Sequence, residues 1–183
     1  QSFYISGMFI PHVRMMKTCK ENTSLANLFG LPYVVLRTPT AMDQSTLNFN
    51  WQVGGTAAFS VYTNATESID EASAELGVSA VLRFLSRMGI IKYKCHGGYM
   101  GTIIDEDDMM NVTCGAAGIY RSLHKIGDEV EKGDILAQII HPYEGNVISE
   151  VKAPADGILF FAHESPLVME NTIVFKMIKR LHK

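Results

Sequence analysis

Apolar residues in the first half of the chain recur with two different periods. Leu25, Leu28 and Phe29 follow Thr23 and Ser24, either of which can cap a short helix, and Gly30 stands where a left-handed residue would end it. Tyr33-Val34-Val35-Leu36 is an unbroken apolar run, as in a mostly buried strand. Ala58-Phe59-Ser60-Val61-Tyr62, reached through Gly54-Gly55, predicts a second strand. Ser68 and Glu71 have the spacing of a capping box. Beyond them Leu76, Ala80, Val81, Phe84, Leu85 and Met88 recur at helical spacing up to Gly89, so a helix with one buried face is expected. A one-sided helix directly after a strand fits an α/β sandwich in which the helix covers one face of a mixed sheet. Two or three strands make no stable core alone, so this half is expected to be the end of a larger sheet.

After about residue 92 the texture changes to short β segments between Gly, Asp and Pro turns: Tyr99 to Ile104, Asn111 to Cys114, Gly118 to Leu123, Ile135 to Ile140, Asn146 to Val151, Gly157 to Ala162 and Thr172 to Ile178. That spacing predicts an all-β barrel or sandwich over 92–183 after an α/β part over 1–91, with Cys95-His96-Gly97-Gly98 as the joint.

Within the β half, the run Ile126 to Leu136, with Gly127-Asp128 and Gly133-Asp134, is echoed by Val151-Lys152-Ala153-Pro154-Ala155-Asp156-Gly157. The pairing resembles the barrel-sandwich hybrid of lipoyl and biotinyl carrier domains. A carrier needs a lysine at the tip of the intervening hairpin, and the tip here is His141-Pro142-Tyr143-Glu144-Gly145-Asn146. Lys152 stands too near the Ala-Pro-x-Asp-Gly turn to serve, so the carrier reading is rejected. His141 and Glu144 have an H-x-x-E spacing, but a hairpin tip offers no third ligand, and the spacing is taken as chance.

Composition narrows the classes. With 183 residues, 47% of them hydrophobic, the chain can bury a core, which argues against disorder. A net charge of -3 with scattered Lys and Arg gives no field for nucleic acid. No apolar run approaches the roughly 20 residues that span a bilayer, so no membrane association is expected. Cys19, Cys95 and Cys114 are odd in number and lack CxxC spacing, as expected of reduced thiols in a cytoplasmic protein. Sequons at Asn22, Asn64 and Asn111 matter only in a secreted chain and carry little weight.

Taken in order, Ser2-Phe3-Tyr4 leading to Pro11-His12-Val13-Arg14, Phe29 to Val35, Gly55 to Val61, the helix into Arg87-Met88-Gly89-Ile90-Ile91, and the β half resemble one family: the part of the succinylglutamate desuccinylase/aspartoacylase family that follows its last zinc ligand. The resemblance implies the end of a zinc-carboxypeptidase-like α/β/α core followed by a barrel-sandwich hybrid domain. It also implies zinc-dependent hydrolysis of the amide bond of an N-acyl amino acid or similar small anionic amide. Its zinc ligands would precede residue 1, so no metal ligand is expected in this chain. The chain would then be one piece of a split or cleaved enzyme, or a paralogue without the metal site. Its expected partners are a complementary N-terminal chain or further copies of itself. The alternative is a non-catalytic deacylase-like protein that binds a small anion or a partner.

The resemblance also assigns positions. The family's glutamate base aligns with Tyr62, and a phenol of pKa near 10 cannot replace a carboxylate as base at neutral pH without a large shift. Glu67, five residues on, is a substitute candidate, with a solvated carboxylate near a helix N-terminus as the rival account. Arg14 and Arg37 are candidates to grip a substrate carboxylate, since a guanidinium offers two parallel donors; an ordinary ion pair is the rival account for Arg14. His12 is expected to be a structural histidine.

Overall fold

The computed structural model describes residues 7–64, 69–94 and 96–179. The described residues divide into two compact units: 11–108 form one, and 7–10 with 109–179 form the other. The first strand, β1 (Gly7–Phe9), therefore belongs with the C-terminal residues.

Residues 11–108 build an α/β unit. Its elements are β2 (His12–Met16), α1 (Thr23–Ala26), β3 (Tyr33–Arg37), α2 (Leu47–Val53), β4 (Ser60–Tyr62), α3 (Glu71–Arg87) and β5 (Thr102–Asp105). The sheet order is β4-β2-β3-β5, with β2, β3 and β5 parallel and β4 antiparallel, a mixed sheet. Strand alternation sorts its residues between two faces. Val13, Met15, Val34 and Leu36 pack with Ala26, Phe29, Leu31 and Ala80 in one core, to which Val61, Leu76 and Phe84 add. Arg14 pairs in register with Val35 and Ser60, and His12 with Tyr33 and Tyr62, so all of these stand on the opposite face, as does Arg37 two residues beyond Val35.

Local chemistry sets the helix ends. Gly30 has φ +67° and closes the turn Asn27–Phe29 as expected. Asp70 caps α3, its carboxylate accepting from Ala72 N at 3.1 Å. Glu71 is thus the first helical residue rather than the third, as the capping box required, and Ser68 lies outside the described residues. Arg83 is buried and donates to the Phe29 and His96 carbonyls at 2.6 and 2.9 Å, tying α3 to that turn and to the segment leading into β5. β5 was expected in the all-β half; it pairs parallel with β3 instead, so the change of texture near residue 92 comes ahead of the division at residues 108/109.

The second unit is antiparallel throughout. It adds β6 (Met110–Thr113), β7 (Gly118–Ser122), β8 (Glu129–Val130), β9 (Ile135–Ile140), β10 (Val147–Lys152), β11 (Gly157–His163), β12 (Leu167–Val168) and β13 (Ile173–Lys179). One sheet runs β1-β11-β13-β6 with β8 paired to β11, and the other runs β10-β9-β7-β12. Leu136, Ile139, Val151, Leu159, Val174 and Phe175 from both sheets share one core. No described pairing joins the two ladders into a closed barrel, so this unit is a β-sandwich of open sheets. The quasi-repeat is a structural device: Gly133 N donates to Ala153 O, Ala153 N to Asp134 O, and Lys132 N to the Asp156 carboxylate.

Candidate functional site

In open sheets with parallel strands, ligands bind at the carboxyl ends of those strands. Here Arg37 ends β3, and Asp105 ends β5 with Glu106 directly after it. Arg14 reaches toward the same group from the middle of β2.

The two arginines differ in how much of their hydrogen-bonding capacity is used. Arg37 Nε donates to both Asp43 oxygens at 3.1 Å, and its Nη1 donates to Glu106 at 3.2 and 3.4 Å. Asp43 is fixed in turn by Thr40, whose backbone N and hydroxyl donate to it at 2.8 and 2.5 Å. Partial burial opposes ionisation of both groups; the Glu106 and Asp43 charges nevertheless raise Arg37 above its ordinary value. Likewise the Thr40 and Arg37 hydrogen bonds outweigh burial and hold the Asp43 carboxyl below the usual carboxylate range.

Arg14 has looser partners. Its Nη1 donates to the Tyr62 hydroxyl at 3.3 Å and its Nη2 stands 3.8 Å from Glu106, beyond hydrogen-bond distance. Its buried Nε has no acceptor among the described residues. The guanidinium carbon lies 4.5 Å from the centre of the Tyr62 ring, a cation-π contact. His12, fully buried, stacks on the same ring at 4.8 Å and 5°.

Tyr62 therefore serves as a platform for Arg14 and His12. Glu67 lies outside the described residues. Helix α2 borders the cluster: Gln52 accepts from Met16 N at 3.0 Å and donates to Ala58 O at 2.8 Å, while Asn48 donates at 2.7 Å to the hydroxyl of Ser60, on the Arg14 face. Beside the cluster, Lys17 pairs with Asp105 and lies 3.6 Å from Asp107. Its hydrogen bond to Asp105 is the main cause that raises the lysine and lowers the aspartate.

Over 97% of its length, this chain superposes with a TM-score of 0.76 on the succinylglutamate desuccinylase/aspartoacylase protein of Rhodobacter sphaeroides, at 19% identity and 56% of that chain. The fold is that of the succinylglutamate desuccinylase/aspartoacylase proteins. The ectoine utilization protein EutE (DoeB) of Ruegeria pomeroyi, in a product-bound structure, matches at TM-score 0.77 and 18% identity, covering 94% of this chain and 54% of that one. A succinylglutamate desuccinylase from Silicibacter sp. TM1040 matches at 0.77 and 14%, covering 93% and 53%. The chain spans little more than half the length of these structures. No family model and no curated protein matches the sequence.

Among the described residues no group of three or more His, Cys, Asp and Glu side chains could hold a metal ion. They do not furnish the three-ligand set of a catalytic zinc. His141, from the H-x-x-E spacing, instead accepts from the Tyr143 and Glu144 backbone at 3.4 and 3.2 Å and shapes its own hairpin turn.

Sequence reasoning missed Asp43 and Glu106. Asp43 gives no signal beyond a polar turn, but Glu106 has a positional one: it follows the last residue of a parallel strand. That signal was hidden by placing Tyr99 to Ile104 in the β half. No described helix is long and apolar enough to cross a membrane.

Proposed function

We propose that this chain is part of a hydrolytic deacylase that cleaves the amide bond of an N-acyl amino acid or a similar small anionic amide, with Arg14 receiving the substrate carboxylate. The observation that carries this reading is Arg14 itself, a half-buried guanidinium near the carboxyl ends of parallel strands, with a donor unused, on a deacylase fold. Arg37 is the positioning partner, already engaged by two carboxylates. The β-sandwich is a barrel-sandwich type module without a carrier lysine, and it takes no part in the chemistry.

Zinc belongs to the reading by resemblance only. Its ligands would come from a complementary polypeptide, and Glu67, outside the described residues, stays the candidate base. The engagement of Tyr62 by Arg14 and His12 favours a second reading, a non-catalytic protein that binds small anions through the same arginine.

The test is a panel of N-acylated amino acids given to the natively isolated protein with whatever co-purifies, following carboxylate release and ligand binding. Deacylation that falls about a hundredfold in kcat/KM in Arg14→Ala supports the first reading. Binding that depends on Arg14 without release supports the second. Neither binding nor release would end both.

A further inference from the structure

We propose that Glu106 is a built-in competitor for Arg14, a specificity-determining carboxylate that an anionic ligand must outbid at that guanidinium. This rests on the reading of Arg14 as the anion receptor. Glu106 is shared unequally: its oxygens lie 3.2 and 3.4 Å from Arg37 but only within 3.8 Å of Arg14. Arg37 is fixed from its other side by Asp43, so the carboxylate has a firm anchor that does not depend on Arg14. From that anchor it screens the Arg14 charge without satisfying its donors, since the buried Nε keeps no acceptor among the described residues.

A carboxylate arriving at Arg14 forms charge-assisted hydrogen bonds shorter than the present 3.8 Å separation, and it does so beside a like charge. The arrangement consequently raises the threshold for weak or poorly oriented anions. A ligand able to engage two Arg14 donors at once overcomes the repulsion, whereas one held by a single contact does not. Lys17 and Thr38 keep Asp105 and Asp107 occupied, which leaves Glu106 as the carboxylate that both arginines share.

The experiment is an NMR titration of the full chain with acetate, following the arginine Nε–H signals in wild type, Glu106→Gln and Glu106→Asp. Glu106→Gln is expected to bind acetate about fivefold more tightly, the effect read at Arg14, with the Arg37 signal still marking its bond to Asp43. Glu106→Asp, which keeps the charge but shortens the reach, should fall between the two and serves if the glutamine variant does not fold. Equal affinity across the three proteins would overturn the competitor while leaving Arg14 as receptor. No acetate response at Arg14 in any of them would overturn both.

Discussion

Two arginines on one sheet face carry different burdens because their partners differ. Arg37 neutralises Asp43 and Glu106, each only 13% exposed in its side chain, so Arg37→Ala takes the shared cation away from two largely buried carboxylates. Its cost in stability should be about 1–3 kcal/mol, between the limits for exposed and fully buried pairs. Arg14→Ala removes one 3.3 Å hydrogen bond and a ring contact, and should cost less than about 1 kcal/mol. Urea unfolding of both variants measures the difference. Acid makes the comparison sharper. Because the folded Asp43 has a lowered pKa, its contribution is complete above the ordinary aspartate value near 3.9 and is lost as pH falls through the folded one. The gap between wild type and Arg37→Ala should therefore narrow below about pH 4.

At the scale of elements, α3 owes its start to Asp70, whose carboxylate also accepts from the Ser73 hydroxyl at 2.5 Å. Asp70→Ala should destabilise the protein by about 1 kcal/mol in urea unfolding, while Glu71→Ala should change it by under about 0.5 kcal/mol. The reverse order would restore a capping role to Glu71. Elements with a strong local period were legible in the sequence: β3, α3 and most strands of the sandwich follow from apolar spacing and turn residues. Those defined by tertiary pairing were not. β8 and β12 are two residues each, β1 is three, and α2 carries Leu47, Trp51 and Val53 exposed, so none has a buried periodic face to read. β5 was legible as a strand but not as a parallel neighbour of β3, since direction is set by a partner far away in sequence. Arg14 and Arg37 were found by residue type, but their unequal partners appear only once Asp43 and Glu106 converge in space.

For the molecule as a whole, an α/β unit and a β-sandwich unit together match about half of a deacylase structure, and the α/β unit brings Arg14 and Arg37 to a shared carboxylate, Glu106. The β-sandwich has its own buried feature in Tyr120, whose hydroxyl is pushed up to about 12 by burial and whose ring meets His163 edge-on at 5.4 Å. That phenol stays protonated at neutral pH and acts as packing rather than acid-base chemistry. The central claim concerns Arg14, and a crystal structure of the protein with an N-acetylated amino acid tests it most directly. The account predicts the ligand carboxylate within hydrogen-bond distance of Arg14, with Arg37 still held by Asp43. A ligand carboxylate bound elsewhere, with the Arg14 surroundings unchanged, would contradict it.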